Sequence, residues 1–471
     1  MDGQQIDMPE DFVKRVHQAL RAWHSGPTTD LFGDLLLAQQ IRDQQASASP
    51  RLVSNQILLD GLERLKKSDE GQADLLQRRF LNRETALEVA HSQNVGEDVI
   101  FQRQRVAMAH LAGLIWGQEL ALRQQQARRI EARLEPPTYS QLFGVSESMA
   151  EVRVLLEVAA PPWVVALTGL GGVGKTSLAD ALARTLAWGS HFHEVGWLSA
   201  RRRLFHLNGE IEMRPDQAEL TLAELVDRLI DQFELAGLRH QSDAKKLTGL
   251  TDFLKSHPCL IVIDNLEAVA SYHILVRQLQ NLIEPSKFLL TSRYFIHDIS
   301  GLYNLTVKPL AREDTLPLIR HEAETRGLTG LATASEADLE QIYQITGGNP
   351  LATKLIIGQV YALSLPGVLA QFKAAQGKPV EELLTYIYAQ AWQALEPTGR
   401  HILQAMLLVA EEGGRLEQIA AAAELDKVEA ADCLLQLATL SLVTIGGDFK
   451  EKRYSLHQLT QAFLAKQAAR G

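Results

Sequence analysis

The central part of the chain, between residues 163 and 309, alternates short apolar runs with amphipathic stretches. The apolar runs are rich in β-branched residues and predict buried strands at 164–168, 195–200, 259–264 and 287–291. Apolar residues recur with a helical period between these runs, at 175–187, 222–234, 244–256 and 272–283. This strand–helix alternation predicts a parallel sheet with helices on both faces.

The two flanks of this region lack strand-like alternation and are predicted to be helical. Residues 1–135 are polar and rich in Gln and Arg, and a proline pair at Pro136-Pro137 ends the last helix expected there. After about residue 309 the pattern is again helical, except in LVTIGGDFKEKRYSLH, which predicts two short strands flanking a turn at Gly446-Gly447.

Residues 62–116 carry the pattern of a helix-turn-helix. The apolar spacing predicts two helices joined by a short turn at 94–96, with a third helix packed in front. Glu97 and Asp98 begin the second helix favourably, because acidic side chains stabilise a helix N-terminus. The pattern resembles the helix-turn-helix of sigma factor region four. The side chains expected on the outer face of the second helix are Gln102, Arg103 and Arg105.

Two kinds of partner fit this helical module. Residues 62–134 hold twelve Lys and Arg against ten Asp and Glu, which is a weak positive balance for a surface that binds phosphates. Asn94 also stands where glycine is usual in such a turn. DNA contacted through residues 75–116 and a protein partner therefore both stay open.

The composition of the chain indicates in which compartment the protein functions and which partners are disfavoured. The chain is 46% hydrophobic and 22% charged with a net charge of −10, which argues against general coating by nucleic acid. Its two cysteines cannot build a disulfide framework, and its start lacks the basic and apolar regions of a secretion signal. No apolar run approaches the ~18 residues needed to span a bilayer. We therefore expect a cytoplasmic protein without a membrane partner.

The stretch TGLGGVGKTSLADALA, residues 168–183, carries a phosphate-binding pattern. Gly169-x4-Gly174-Lys175-Thr176 lies between a predicted strand and a predicted helix, as this P-loop pattern requires. The glycines let backbone N–H groups curl around phosphates, and the helix N-terminus points at them. Lys175 is expected to pair with the β- and γ-phosphates, and the Thr176 hydroxyl to ligate Mg²⁺. The residues predicted to bind nucleotide here are Gly169, Gly171, Gly172, Val173, Gly174, Lys175, Thr176 and Ser177.

Two further strand ends carry residues suited to phosphate chemistry. In CLIVIDNLE, Asp264 ends a buried run and is the expected partner of Mg²⁺, because doubly wound sheets bind ligands at strand carboxyl ends. Asn265 stands where a catalytic acid could stand, so Glu267 is the nearest carboxylate able to orient an attacking water. In FLLTSRY, Arg293 is placed to stabilise charge on the γ-phosphate. The alternative interpretations are a solvated glutamate and a surface arginine.

Four motifs, GLGGVGKTSLA, LIVIDNLE, LLTSRY and TGGNPLA, occur in the order and spacing of the STAND class of signalling NTPases, particularly its NB-ARC branch. That class is related to AAA+ ATPases, and the resemblance covers roughly residues 139–465. It implies that Pro350 lies against the adenine and that His457 reaches the β-phosphate of ADP. Of the usual Met-His-Asp motif only the histidine is present, between Leu456 and Gln458.

The patterns and the resemblance together predict a multi-domain α and α/β protein. Its expected parts are a helical region at 1–60, a helix-turn-helix domain at 61–135, a P-loop nucleotide-binding α/β domain at 139–308, a helical lid at 309–384 and a winged helix at 385–471. The expected recognition helix of the winged helix, DKVEAADCLLQLATL, has more acids than bases, which disfavours contact with DNA phosphates.

The resemblance implies a nucleotide-controlled switch that uses ATP, ADP and Mg²⁺. ADP would hold the lid and the winged helix closed, and ATP would open them and allow self-association. Hydrolysis would be slow and act as a reset, so that the protein is at most a weak ATPase. The signal would come from a protein partner or sensor that the sequence does not identify. A DNA-binding transcription regulator is the alternative, and a constitutive ATPase motor is the third hypothesis.

Overall fold

The computed structural model describes two compact units. One comprises Met1–Ile130 with Leu186–His191, and the other comprises Glu131–Thr185 with Phe192–Gly471. The residues described within them are 7–24, 30–45, 48–134, 136–200, 220–269, 271–297, 301–362, 364–372, 384–385, 388–389, 391–393, 395–409, 413–440, 442–447, 451–457, 460–461 and 463–464.

The described part of the first unit is helical, as predicted. Its helices are α1 (Phe12–Arg21), α2 (Leu36–Gln44), α3 (Pro50–Ser68), α4 (Glu70–Leu76), α5 (Ala86–Gln93) and α6 (Glu97–Glu131), with a π-helical turn at Gln77–Leu81. Phe12, Leu62, Leu111 and Trp116 share one apolar core. Among the described helices of the whole chain, none combines the length and the apolar character needed to cross a bilayer.

The predicted turn between two helices lies where the sequence places it. The Thr85 hydroxyl accepts a hydrogen bond from Glu88 N at 3.2 Å, and Glu88 Oε2 accepts one from Thr85 N at 2.6 Å, so α5 begins with a capping box. After α5 the chain turns at Asn94, whose φ is 53°. Asparagine adopts this left-handed conformation more readily than most residues, so the turn does not need a glycine. α6 begins at Glu97 and runs for 35 residues. Its identity as a recognition helix stays a prediction.

The second unit is built on a five-stranded parallel sheet. The strands are β1 (Val164–Thr168), β2 (Glu194–Ser199), β3 (Cys259–Asp264), β4 (Lys287–Ser292) and β5 (Leu302–Thr306). Their order in the sheet is β2-β3-β4-β1-β5, with parallel pairing throughout. The four predicted strands are confirmed to within one residue at either end, and the parallel sheet is the type found in P-loop domains.

The fifth strand escaped the sequence prediction because it lies at an edge of the sheet. Among the described strands β5 pairs with β1 alone, and only Leu305 of its five residues is buried. Asn304 interrupts its apolar pattern and uses its side-chain amide to bond Ile296, with Nδ2 donating to Ile296 O at 3.0 Å. An edge strand of this kind lacks the continuous apolar run that identifies a central one.

Helices surround the sheet and continue after it. They are α7 (Ser146–Glu157), α8 (Lys175–Ala187), α9 (Leu222–Gln232), α10 (Asp243–Ser256), α11 (Tyr272–Leu279), α12 (Arg312–Thr325), α13 (Thr329–Ala332), α14 (Glu336–Thr346), α15 (Pro350–Ala362), α16 (Leu365–Phe372), α17 (Pro397–Met406), α18 (Leu416–Ala422) and α19 (Lys427–Thr439). We call α12–α16 the lid. Ile342 and Ile356 of the lid share an apolar core with Ile402 and Leu434.

Two short antiparallel strands, β6 (Thr444–Gly447) and β7 (Lys452–Ser455), follow α19. The turn predicted at Gly446-Gly447 is wrong, because both glycines belong to β6 and pair with Arg453 and Lys452 of β7. A Cβ atom on Gly446 would lie 3.1 Å from Pro136 Cβ, so close packing accounts for a glycine inside this strand. The winged helix stays a prediction, and Gln458 lies outside the described residues.

Lys287 fastens the start of β4 to the segment that precedes β1. Its side chain is 1% exposed, and Nζ donates to Leu155 O at 3.0 Å, Ala160 O at 2.6 Å and Pro162 O at 2.8 Å. Nζ also lies 4.5 Å from the centroid of the Trp163 ring. Three carbonyl groups of the end of α7 and its following loop therefore depend on one ammonium group.

We expect Lys287→Met to lower the free energy of unfolding by about 2–4 kcal/mol, because methionine fills the space but leaves the buried carbonyls without a donor. Urea unfolding followed by tryptophan fluorescence measures the change. Lys255→Met, on the exposed surface of α10, is the matched control. Equal midpoints for the two variants would contradict this account.

Candidate nucleotide-binding site

The phosphate-binding loop connects β1 to α8 and lies at the carboxyl edge of the sheet. β1 lies between β4 and β5, while β2, the next strand along the chain, lies at the far edge of the sheet. The connections that leave the neighbouring strands β1 and β4 therefore run in opposite directions across the sheet. Ligands of open α/β sheets bind at such a position. Gly169 has φ 140°, and a Cβ atom there would lie 2.5 Å from Val307 O. Any other residue would therefore displace the loop.

Lys175 lies folded along this loop. It is 9% exposed, and Nζ donates to Gly169 O at 2.8 Å and to Leu170 O at 2.9 Å. Burial lowers the pKa of Lys175, while the Glu267 carboxylate raises it, the Arg293 guanidinium lowers it and the Asp264 carboxylate raises it. Glu267, Arg293 and Asp264 therefore all lie close enough to Lys175 to change its pKa. The structure thus brings these four predicted residues together.

Asp264 is a buried carboxylate with several donors. It is 4% exposed, and Oδ1 accepts from Thr176 Oγ1 at 2.8 Å and from Thr291 Oγ1 at 2.5 Å. Its other oxygen, Oδ2, accepts from Asn265 Nδ2 at 2.6 Å. Burial raises the pKa of Asp264, and the two threonine hydroxyls oppose that rise. The hydroxyl of Thr176 and this carboxylate form an oxygen donor set that suits Mg²⁺.

Thr291 is a site residue that the sequence analysis did not single out. Besides donating to Asp264, its hydroxyl accepts a hydrogen bond from Asn265 N at 2.8 Å. Asn265 has φ 60°, so the chain turns sharply after β3 and the threonine holds that turn against β4. A polar residue near the carboxyl end of a buried strand, as in LLTSRY, is the sequence feature that could have identified Thr291.

Glu267 and Arg293 form an ion pair beside the loop. Arg293 Nε lies 3.2 Å from Glu267 Oε1, and the side chains are 24% and 10% exposed. Arg293 N also donates to Glu267 Oε2 at 3.3 Å. The two residues predicted to act on the γ-phosphate therefore contact one another, and Glu267 is neither solvated nor remote from the loop. Their catalytic roles stay predictions.

The lid meets the loop through the residues around Pro350. Asn349 Nδ2 donates to Gly171 O at 2.9 Å, and Leu351 N donates to Gly172 O at 3.3 Å. Pro350 is half-buried and begins α15, where proline is favoured because the first helical N–H has no helical partner. The motif TGGNPLA points to Pro350 and not to Asn349, because a residue before proline is usually found in a loop.

The segment before α7 connects α8 with the lid. Tyr139 Oη donates to Asp180 Oδ2 at 2.7 Å, and Asp180 pairs with Arg184 at 2.8 Å. Ser140 Oγ and His321 Nε2 lie 2.8 Å apart, so this segment contacts both helices. Burial raises the pKa of Tyr139, and the Asp180 carboxylate adds to the rise.

His457 follows β7 and is half-buried. Its carbonyl accepts a hydrogen bond from Gln461 N at 3.0 Å, and its contact with a β-phosphate stays a prediction. The remaining loop residues have the expected places, with Val173 buried and Ser177 half-buried at the start of α8.

We expect Thr291→Val to lower the free energy of unfolding by about 1–3 kcal/mol, because valine has the same shape but leaves Asp264 and Asn265 N each without one buried partner. Thermal unfolding is the measurement. Thr251→Val removes a hydroxyl that bonds Leu247 O within α10 at 2.7 Å and serves as the control. If the two variants unfold at the same temperature, the link between β3 and β4 is not the reason for Thr291.

Comparison with known proteins agrees with this geometry at the level of the nucleotide-binding domain. Residues 165–292 match the sequence model of the family described as ATPase family associated with various cellular activities (AAA). That range contains the loop, Asp264, Asn265, Glu267 and Thr291 and ends one residue before Arg293. A search of curated protein sequences gives no match.

Three of the solved structures that match this chain are the following. A STAND protein with a tetratricopeptide repeat sensor from Pyrococcus horikoshii is 17% identical, with a TM-score of 0.47, and the match covers 71% of this chain and 44% of that one. The Aeropyrum pernix ORC2 protein is 15% identical, with a TM-score of 0.33 and coverage of 73% and 98%. A chain of Drosophila ORC bound to DNA is 11% identical, with a TM-score of 0.35 and coverage of 74% and 99%.

This chain thus spans less than half the length of the P. horikoshii protein. The family match and the loop geometry concern the sheet of the second unit, where the predicted P-loop NTPase is confirmed. Residues 165–292 form a P-loop nucleotide-binding domain of the AAA type.

Proposed function

We propose that the protein is a nucleotide-controlled switch of the STAND class, closed with ADP and open with ATP. The observation that carries the proposal is the direct bonding of the lid to the phosphate loop, at Gly171 O and Gly172 O. Because the lid contacts the loop itself, a change in the loop caused by the nucleotide changes the contacts that hold the lid. A motor would not need this dependence.

The loop and the start of α8 supply the groups that bind phosphate in this proposal. Backbone N–H groups of residues 171–176 surround the α- and β-phosphates, and Lys175 leaves its two carbonyl partners to pair with phosphate oxygens. Pro350 packs on the adenine, and His457 contacts the β-phosphate of ADP from the C-terminal segment. The nucleotide then contacts three successive parts of the second unit.

Thr176 and Asp264 are the residues that would hold Mg²⁺. The Thr176 hydroxyl oxygen would ligate the metal, and Asp264 would accept a hydrogen bond from that hydroxyl, as it does here at 2.8 Å, or from a metal-bound water. Bound Mg²⁺ supplies charge neutralisation at the phosphate oxygens.

Slow hydrolysis is supported by the environment of Glu267. One of its carboxylate oxygens pairs with Arg293 Nε at 3.2 Å, so this oxygen must leave the arginine before it can orient an attacking water. Asn265, the other residue near the strand end, has no basic group and donates its amide to Asp264. An enzyme of this design turns over ATP seldom and retains the product ADP, as a latch requires.

Self-association in the ATP state is part of the proposal. Opening of the lid would part Leu351 from Gly172 and expose the apolar surface with which the lid packs on the loop. Exposed apolar area of this kind favours assembly. The activating signal would come from a protein partner or sensor.

The direct test is the nucleotide that the purified protein contains. We expect protein purified without added nucleotide to carry ADP, and Lys175→Ala to carry none and to lose affinity for ADP by at least about tenfold, because the charge-assisted phosphate contact is absent. Extraction followed by chromatography identifies the nucleotide, and calorimetry gives the affinity. Lys245→Ala, exposed on α10, is the control. Wild-type protein that neither carries nor binds ADP would refute the proposal.

A DNA-binding regulator is the second candidate function. The observation in its favour is that Gln102, Arg103 and Arg105 are exposed together on the first turns of α6. Phe101 and Val106, exposed on the same stretch at 42% and 56%, suit a protein partner equally well. Binding of random-sequence duplexes over a salt series decides between them, since contact with phosphates weakens steeply with salt. Absence of salt-dependent affinity in both nucleotide states would exclude DNA.

A further inference from the structure

The carbonyl groups of the phosphate loop are bonded one after another. Lys175 Nζ donates to Gly169 O and Leu170 O, and the lid donates to the next two, Gly171 O and Gly172 O. Four consecutive carbonyl oxygens therefore have a donor, two from the loop's own lysine and two from a segment far along the chain.

Asn349 is the side chain that makes this connection. It is 0% exposed, and its two amide ends face different partners. Nδ2 donates to Gly171 O at 2.9 Å, and Oδ1 accepts from Ala352 N at 3.1 Å. The second bond caps the first turn of α15. One side chain thus ties the start of the lid helix to the loop, and both of its polar ends are satisfied.

The lid also packs tightly against the loop. A Cβ atom on Gly172 would lie 2.8 Å from Leu351 Cβ and 3.1 Å from Asn349 Oδ1. Leu351 N donates to Gly172 O at 3.3 Å. Bonds and packing therefore place the lid on the same two peptide groups.

Fixing a carbonyl group fixes the N–H group of the same peptide. A peptide unit is planar and trans, so its C=O and N–H point in opposite directions. The Gly171 carbonyl shares a peptide with Gly172 N–H, and the Gly172 carbonyl shares one with Val173 N–H. When the lid bonds these carbonyls, the two N–H groups point away from the lid donors. Such N–H groups are the ones with which a P-loop binds phosphate.

We propose that Asn349 is a positioning residue, through which closure of the lid orients the loop peptides for the phosphates of a nucleoside diphosphate. The proposal rests on the nucleotide binding proposed above. Closure then strengthens phosphate binding without a new contact between the lid and the phosphates. By linkage, bound diphosphate strengthens closure by the same factor.

The test compares ADP dissociation from full-length variants, using a fluorescent ADP analogue displaced by excess ADP. Asn349→Ser keeps a side chain that caps a helix but is too short to reach Gly171 O. We expect it to release ADP about tenfold faster, the usual effect of one lost buried hydrogen bond. Asn349→Asp keeps the shape and the cap but puts an oxygen against Gly171 O, and we expect an effect at least as large.

Two further measurements separate positioning from a structural role. Thr315→Val removes a buried hydroxyl that bonds Ala311 O at 2.8 Å within the lid, and we expect it to release ADP at the wild-type rate. Hydrogen exchange with ADP bound should be faster in Asn349→Ser over the loop, residues 168–178, and unchanged over α15.

The proposal is overturned if Asn349→Ser releases ADP at the wild-type rate, or if faster exchange is confined to α15. Either result leaves the proposed switch standing, since wild-type protein still binds ADP. Wild-type protein without affinity for ADP would instead overturn the switch itself.

Discussion

The carboxylate of Asp264 holds together the parts of the second unit that carry its chemistry. It ends strand β3 and accepts hydrogen bonds from Thr176 at the start of α8 and from Thr291 at the end of β4. A buried carboxylate is costly unless such donors surround it. The positions of α8 and of the phosphate loop therefore depend on the hydrogen bonds that stabilise the buried Asp264 carboxylate.

The lid adds a second constraint on the same loop from the other side. Asp264 and Thr176 fix where the loop ends, while Asn349 and Leu351 hold the peptides in its middle. The lid in turn shares its apolar core with the C-terminal helices. In the proposed switch, a change at the phosphates reaches the C-terminal segment through these packed elements.

The proposed latch depends on the pairing of Glu267 with Arg293. In a fast ATPase a carboxylate near the γ-phosphate is available to accept a proton from water. Here that carboxylate is bonded by both the side chain and the backbone of Arg293. In the proposed cycle this pairing slows hydrolysis, so that the nucleotide is retained.

Much of the second unit could be predicted from its sequence, because the central strands are continuous apolar runs and the loop motif has a fixed spacing. The signal failed where a residue's partner lies far along the chain. β5 is half-exposed and polar at Asn304, so its pairing with β1 left no apolar run. Gly446 resembles a turn residue, but it is a strand residue that packs against Pro136.

The same limit applies to the site itself. Lys175, Asp264 and Arg293 were found because each ends or follows a recognisable strand. Thr291 and Asn349 were missed because their importance comes from hydrogen bonds to Asp264 and Gly171, and no local pattern records those partners. The sequence identified the charged groups of the candidate site better than it identified the residues that form hydrogen bonds with them.

The central claim is that the nucleotide controls assembly, and the mass of the particle in solution tests it most directly. Light scattering after gel filtration should give the mass of a single chain for protein loaded with ADP. With ATP and Mg²⁺ the same protein should give a multiple of that mass. An identical mass in both states, with each nucleotide shown to be bound, would contradict the account.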